Sequence, residues 1–203
     1  MIAAILLAAA APPSAIDAER AFVADAQKLG QWTAFRKYAT DDALLFTPQP
    51  TNAQTFLKDR KDPPVAIFWW PGRSYVSCDG TTAVNTGPWV REWGKSVGYF
   101  TTVWQRQADG SWKWIYDGGD GLKTARAEGG DIAPQVAACP KLPLPPAPQR
   151  EVPADVKSGG GSSKDGTLTW DWTVRTDGSR RFTVSVWDGA QRRVVIDDQI
   201  AAQ

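Results

Sequence analysis

The fold of this chain is decided by the stretch Gly98-Tyr-Phe-Thr-Thr-Val-Trp-Gln-Arg-Gln-Ala-Asp-Gly-Ser-Trp-Lys-Trp-Ile-Tyr-Asp-Gly-Gly119. Two runs rich in aromatic and β-branched residues flank Asp109-Gly110, and Asp-Gly between such runs is a strong signal for a β-hairpin. An amphipathic segment precedes the hairpin, nearer the N-terminus. Together these features predict an α+β fold in which a curved, cone-shaped antiparallel sheet wraps around N-terminal helices.

The strands of this sheet are predicted to start after Pro64, where the apolar residues begin to follow the two-residue period of β-strands. Turn signals at Pro71-Gly72, Asp79-Gly80 and Trp93-Gly94 divide the region. The resulting antiparallel segments, joined by tight turns, form a meander. Their predicted bounds are 65–78, 82–92, 97–107 and 112–117.

The N-terminal half is predicted to be helical over residues 17–38, with Asp17 as the N-cap. Gly30 interrupts the pattern, which predicts two helices that meet at a bend. Leu44-Leu45-Phe46 predicts a short buried strand. Thr51-x-x-Gln54 matches a capping box and predicts a short helix after it.

The C-terminal part changes composition twice. Residues 122–164 are rich in Pro, Gly and Ser and are predicted to form a linker, because such segments bury too little apolar surface to fold. Residues 165–203 alternate apolar and polar positions between Asp-Gly turns, which predicts a three-stranded β-meander. Because a sheet of that size is marginal alone, we expect its tryptophan face to dock on the main domain or on a second copy.

Composition excludes several classes of function. The 203 residues include 23 basic and 22 acidic side chains, and their even scatter excludes nucleic acid as an expected partner. The chain has no histidine, which excludes Ser-His-Asp and Cys-His mechanisms and His-ligated zinc. No P-loop, Rossmann glycine pattern or EF-hand spacing occurs, so no cofactor and no metal are predicted.

The N-terminus and the cysteines predict an exported protein. Met1–Ala15 opens with an apolar run that resembles the core of a signal peptide, and it is shorter than the about 20 residues a transmembrane helix needs. A periplasmic or secreted location follows, with no membrane span in the mature chain. Cys78 and Cys139 form either a disulfide, worth about 4 kcal/mol in the chain-entropy model, or two unpaired thiols.

Two motifs and the order of the elements resemble the nuclear-transport-factor-2-like superfamily, in particular its SnoaL-like branch. The motifs are Tyr38-Ala-Thr-Asp-Asp-Ala-Leu-Leu-Phe-Thr-Pro48 and Val103-Trp-Gln-Arg-Gln-Ala-Asp-Gly-Ser-Trp-Lys-Trp114. The resemblance covers about residues 17–119 and implies a domain over 16–121 with a pocket between sheet and helices. It leaves function open, because this fold hosts enzymes, ligand carriers and assembly domains.

The resemblance also implies a test of catalysis, because ketosteroid isomerase belongs to this superfamily. Its general-base aspartate aligns with Thr47, and its oxyanion-binding tyrosine aligns with Val23. Threonine cannot take a proton at neutral pH, and valine cannot donate a hydrogen bond. Isomerase chemistry is therefore not expected. Asp42 and Asp117 remain the candidate catalytic carboxylates, with capping and turn roles as their preferred interpretation.

Candidate ligand-binding residues are aromatic side chains of the strands and one arginine. They are Trp70, Trp89, Arg91, Tyr99 and Trp104. Trp69 and Trp70 are neighbours on a strand, so at most one of them points into the cone. Arg91 shares a strand face with Trp89 and offers a donor fork to an anionic group. The alternatives are a solvated charge for the arginine and core packing for the aromatic residues.

Three functions are compatible with these observations. The first is an exported binding protein that holds a small apolar or aromatic molecule in an aromatic-lined cone without catalysis, as the 11 tryptophans suggest. The second is a carboxylate-based enzyme of the isomerase, dehydratase or hydrolase type. The third is a structural or assembly domain at the cell envelope, in which the chain forms a homodimer.

Overall fold

The computed structural model describes residues 13–147 and 151–202. Of the predicted leader Met1–Ala15, residues 1–12 lie outside the described part. The described chain forms three α-helices, a mixed sheet of eight strands and a second, antiparallel sheet of four strands. The α+β class and the open sheet with N-terminal helices are therefore confirmed. No described helix is long and apolar enough to cross a membrane.

The two N-terminal helices meet at a glycine, as predicted. Helix α1 spans Ala15–Leu29 and helix α2 spans Gln31–Tyr38. Gly30 between them has a φ of 107°, a conformation that favours glycine because it has no Cβ. The predicted N-cap is wrong: Ser14 caps α1, and Asp17 is the acidic partner of its capping box. Ser14 and Asp17 satisfy each other's backbone N–H groups, so the helix starts earlier.

Eight strands form the main sheet. They are β1 (Ala39–Phe46), β2 (Pro50–Asn52), β3 (Phe68–Trp69), β4 (Arg73–Val76), β5 (Thr82–Arg91), β6 (Ser96–Arg106), β7 (Trp112–Leu122) and β8 (Gln135–Val136). Hydrogen bonding orders them β2-β1-β7-β6-β5-β4-β8, and β3 also pairs with β5. The short helix α3 (Ala53–Leu57) follows β2, with Asn52 as its N-cap instead of Thr51. The predicted hairpin is β6–β7, which turns at Asp109-Gly110.

Two pairings correct the prediction of a purely antiparallel sheet. Strand β1 lies parallel to β7, and strand β8 lies parallel to β4. Parallel partners need long connections, whereas turn signals report only strands that are neighbours in the chain. The sheet is therefore mixed, and its edges are formed by short strands at both ends.

The second sheet has four strands, where three were predicted. They are β9 (Lys157–Ser162), β10 (Leu168–Val174), β11 (Arg180–Trp187) and β12 (Arg192–Ile200). Strand β9 is the glycine-rich run that was predicted to be linker. A Cβ at Gly159 would lie 2.5 Å from the Trp172 ring, and one at Gly161 would lie 2.9 Å from the Trp170 ring. The glycines therefore admit two indoles, which cover the three central residues of the strand.

The second sheet packs on the face of the main sheet opposite to the helices. Val103 and Trp104 are neighbours on β6 and point to the two different faces. The rings of Tyr116 on β7 and Phe182 on β11 stack with centroids 4.1 Å apart. Of the two docking partners expected for the C-terminal sheet, the main domain or a second copy, the structure shows the main domain. The apolar side chains shared by the two sheets include Tyr75, Val84, Val103, Tyr116, Leu168, Trp172, Val174, Phe182, Val184 and Ile196.

Backbone hydrogen bonds connect the two sheets at one corner. The Ala137 N–H donates to the carbonyl oxygen of Val76 at 2.8 Å, and the Ala138 N–H donates to that of Trp187 at 2.9 Å. Ala137 therefore bonds to the main sheet, and the next residue, Ala138, bonds to the second sheet. This part of the predicted linker is ordered by the sheets on either side of it.

A disulfide lies at the same corner. Cys78 and Cys139 are bonded, with Cα atoms 5.2 Å apart, and they are 61 positions apart in sequence. That separation of Cα atoms is within the usual range for disulfides. The bond ties the segment after β8 to the turn after β4.

Candidate functional site

A cavity of about 410 Å³ opens between the helices and the main sheet. This volume is within the range of small-molecule sites in proteins. Helices α2 and α3, strand β3, the ends of β1 and β7, and the first residue of β11 contribute to its wall. Eight aromatic residues line it: Trp32, Phe35, Phe46, Phe56, Trp69, Trp89, Tyr99 and Phe100.

Two acidic residues, Asp117 and Asp120, line this aromatic cavity from the sheet side, and Asp117 is the one with a shifted pKa. The turn role that the sequence favours for it is wrong, because β7 continues to Leu122. The Thr102 hydroxyl donates to Asp117 Oδ2 at 2.8 Å. Burial raises the pKa of Asp117 to about 7, against the lowering effect of this hydrogen bond. Near neutral pH the carboxyl group can therefore either donate or accept a hydrogen bond in the cavity.

A second buried carboxyl group, that of Glu19, lies behind the wall. Trp69 Nε1 donates to its Oε1 at 2.8 Å, Trp104 Nε1 donates to its Oε2 at 2.7 Å, and Asn85 Nδ2 donates at 3.2 Å. Burial raises the pKa of Glu19 to about 7; the charge of Asp117 adds to the rise and the hydrogen bonds oppose it. The pKa of Glu19 therefore depends in part on the charge of Asp117, and the Trp69 indole connects Glu19 to the cavity wall.

Two arginines also line the cavity. The guanidinium carbon of Arg60 lies 3.7 Å from the ring centroid of Phe56. That of Arg180 lies 5.4 Å from the ring centroid of Phe46, and its Nη2 donates to the carbonyl oxygen of Gly119 at 3.0 Å. Within the described part of the chain, neither arginine forms an ion pair with a carboxylate.

Two of the predicted ligand-binding residues, Trp89 and Tyr99, lie on the cavity wall. Trp89 Nε1 donates to the carbonyl oxygen of Tyr99 at 3.1 Å, which fixes the indole against the neighbouring strand. Thr47, which the resemblance aligns with the isomerase base, also lines the cavity. Its hydroxyl is hydrogen-bonded to that of Thr51 at 2.9 Å, and it cannot act as a base at neutral pH.

Two predicted ligand-binding tryptophans do not line the cavity. Trp104 is fully buried in the core on the helix side, with its N–H directed to Glu19. Trp70 lies on the strand face opposite to Trp69, as the pleat predicts, and donates to the carbonyl oxygen of Glu128 at 2.9 Å. Both indoles are therefore structural, one inside the core and one on the outer side of the sheet.

The polar candidates Arg91 and Asp42 also lie outside the cavity. Arg91 is exposed at the end of β5, with its guanidinium carbon 5.9 Å from the ring centroid of Trp89. Asp42 is exposed on β1 and accepts a hydrogen bond from the Thr40 hydroxyl at 2.7 Å. Each makes a local interaction with a residue two positions away in sequence, as the alternative interpretations expect for surface charges.

Sequence analysis missed Glu19, Arg60 and Arg180. A signal for Glu19 exists, because it lies three residues before Phe22 and seven before Ala26, on the stripe that α1 buries. No local pattern could have found the two arginines, since each reaches the cavity only through the packing of distant segments.

Comparison with known proteins identifies no relative: no protein-family model and no curated protein matches the chain. The resemblance to the nuclear-transport-factor-2-like superfamily stays a prediction. Across residues 13–147 and 151–202, no three His, Cys, Asp or Glu side chains are grouped as a metal site.

Proposed function

We propose that this protein binds a small apolar or aromatic molecule in the cavity between the helices and the main sheet. The observation that carries the proposal is the wall, in which aromatic residues outnumber charged ones by eight to four around about 410 Å³. Aromatic faces hold an apolar ligand by stacking and burial, while a small number of polar groups fix its orientation. The charged groups of the wall are Asp117, Asp120 and the two arginines.

The proposal includes export to the periplasm or the medium. A disulfide persists in oxidising compartments and is rare in the cytosol, which supports this location for a chain with a Cys78–Cys139 bond. The leader-like composition of Met1–Ala15 supports it independently.

Binding is testable with the neutral fluorescent probe N-phenyl-1-naphthylamine and a variant that fills the cavity. Gly121 lies on the wall, and a Cβ added there meets no atom within 4 Å. Gly121→Leu should therefore fold normally and weaken the probe at least about tenfold, equivalent to about 1.4 kcal/mol. Fluorescence titration measures both affinities.

The matched control is Ser158→Leu, which adds the same side chain at an exposed position of β9, outside the cavity. It should bind the probe as the wild type does. A wild type that does not bind the probe, or a Gly121→Leu variant with unchanged affinity, contradicts the proposed function.

A second candidate function, acid–base catalysis, is favoured by one observation: a carboxyl group with a pKa of about 7 lines an aromatic cavity. A group that titrates near neutral pH suits proton transfer. If Asp117 is a general base, the protein should exchange hydrogen for deuterium next to the carbonyl group of aromatic ketones. Asp117→Asn should slow this exchange about 10²-fold or more, as followed by NMR in D₂O.

The control for this experiment is Asp42→Asn, which removes an exposed carboxylate outside the cavity. It should exchange at the wild-type rate. If the wild type exchanges none of the ketones that it binds, the catalytic candidate is rejected and the binding function stands.

A further inference from the structure

A guanidinium group from the second sheet reaches the cavity of the main domain. Arg180 is the first residue of β11 and lies two positions before Phe182 and four before Val184, whose side chains pack against the main sheet. Side chains two positions apart on a strand point to the same face of the sheet. Its side chain therefore also points toward the main sheet. It lies beyond the end of the shared apolar core, where it lines the cavity. Arg181, the next residue, points away from the main sheet.

Most of the hydrogen-bonding capacity of Arg180 is unused. A guanidinium group has five N–H donors, and the described residues supply one acceptor, the carbonyl oxygen of Gly119. The Nε atom is buried and has no partner among the described residues. No carboxylate in residues 13–147 and 151–202 forms an ion pair with this side chain. A partly buried cation that has one hydrogen-bond acceptor and no ion pair is stabilised when a counter-ion binds to it.

The two carboxyl groups on the wall do not supply that counter-ion. Asp117 accepts its hydrogen bond from Thr102. Asp120 accepts a hydrogen bond from the Gly121 N–H at 2.8 Å. Neither lies within ion-pair distance of Arg180.

Arg60 adds a second cation to the same wall, from the loop after α3. Its guanidinium carbon lies over the Phe56 ring and 5.9 Å from the ring centroid of Trp32. The cavity therefore combines aromatic rings with two arginines that have no acidic partner in the described structure. This combination matches a ligand with an apolar body and an anionic end.

We propose that the ligand is an aromatic or other apolar molecule with one carboxylate, and that Arg180 binds the carboxylate and determines this specificity. The inference rests on the proposed function, since it requires that the cavity bind an apolar or aromatic molecule. The planar donor fork of arginine matches a carboxylate with two parallel hydrogen bonds. A neutral ligand leaves the cation without a counter-ion, and this difference is the source of the selectivity.

The test compares 2-naphthoate with 2-naphthamide, which share a ring system and differ in charge. Each is titrated against the wild-type protein with N-phenyl-1-naphthylamine bound, and displacement of the probe gives the affinity. The carboxylate should bind at least about tenfold more tightly than the amide, as expected for a charge-assisted hydrogen bond. Arg180→Gln should remove this preference, measured as the ratio of the affinities for 2-naphthoate and 2-naphthamide within the variant, because glutamine carries no charge.

Arg181→Gln is the matched control. Arg181 neighbours Arg180 but forms its ion pair with Asp197 on the other face of the second sheet, with Nε and Oδ1 2.6 Å apart. The variant should retain the full preference for 2-naphthoate. If Arg180→Gln does not fold, Arg180→Lys replaces it and should show a smaller preference than the wild type, because lysine lacks the donor fork.

The possible failures are distinguishable. If the wild type binds the probe but shows no preference for 2-naphthoate, the carboxylate specificity is overturned and the proposed function stands. The same holds if the preference survives in Arg180→Gln or is unchanged in Arg180→Lys. If the wild type does not bind the neutral probe, the proposed function itself fails.

Discussion

The free energy of unfolding should fall as the pH is raised from 5 to 8. Burial raises the pKa of Glu19 from 4.5 to about 7 and that of Asp117 from 3.8 to about 7. Between the ordinary pKa and the raised pKa of each group, the folded protein keeps a proton that the unfolded chain has released. Because the unfolded state binds fewer protons, stability decreases with rising pH and levels off once both groups are ionised in the folded state.

The expected effect is large. One pKa unit corresponds to about 1.4 kcal/mol, so each group contributes roughly 3 kcal/mol between pH 5 and 8. The two contributions are not additive, because the charge of Asp117 is one of the causes that raise the pKa of Glu19. The measurement is urea denaturation at a series of pH values in this range.

Other carboxyl groups have the opposite effect on the free energy of unfolding, and a pH series that starts at pH 5 avoids their contribution. Asp17, Asp25, Asp62 and Asp165 have lowered pKa values, mainly because hydrogen bonds hold their charged forms. Their contribution to stability is present above their ordinary pKa and is lost only as the pH falls through the lowered values. In the range from pH 5 to 8 they do not change the slope.

Asp117→Asn identifies the source of the slope. Asparagine keeps an acceptor for the Thr102 hydroxyl and carries no charge, so this variant should lose about half of the pH dependence or more. The control is Asp59→Asn, which replaces an exposed carboxylate and should keep the wild-type slope. A wild type whose stability is constant or rises between pH 5 and 8 would show that the two carboxyl groups are not buried as described.

Removal of the Cys78–Cys139 disulfide should lower the free energy of unfolding by about 4 kcal/mol, because the bond closes a long loop in the unfolded chain. This is a large fraction of the about 5–15 kcal/mol that stabilises a typical domain. The double variant Cys78→Ala/Cys139→Ala, compared with the wild type by denaturant titration, measures the effect.

A reductant provides the control, since it should destabilise the wild type and leave the double variant unchanged. The amides of Ala137 and Ala138 offer a local readout, because they bond to the two sheets beside the disulfide. Their hydrogen exchange should become faster in the double variant. If the reduced and oxidised wild type unfold at the same denaturant concentration, the bond does not contribute to stability.

The parts of the fold that could be predicted from the sequence have local signals. The β6–β7 hairpin follows from Asp109-Gly110 between two aromatic runs, and the bend between the helices follows from Gly30. The opposite orientations of Trp69 and Trp70 follow from the pleat alone. Each of these features depends on residues within a few positions of one another.

The remaining parts depend on contacts between distant residues. The parallel pairing of β1 with β7 has no turn to announce it, and β9 is a strand because tryptophans of β10 cover its glycines. The same holds for the site. Asp117 has a shifted pKa because other elements bury it, and Arg180 reaches the cavity because the second sheet docks on the first.

The position of Arg180 also constrains the order of events during synthesis. Helices and the hairpin leave the ribosome first and can build the aromatic part of the cavity. The cation that completes the wall is carried by β11, near the end of the chain, and reaches its place only after the second sheet has formed and docked. Until that docking the wall lacks the Arg180 guanidinium group, so the carboxylate selectivity that we propose requires the second sheet to be in place.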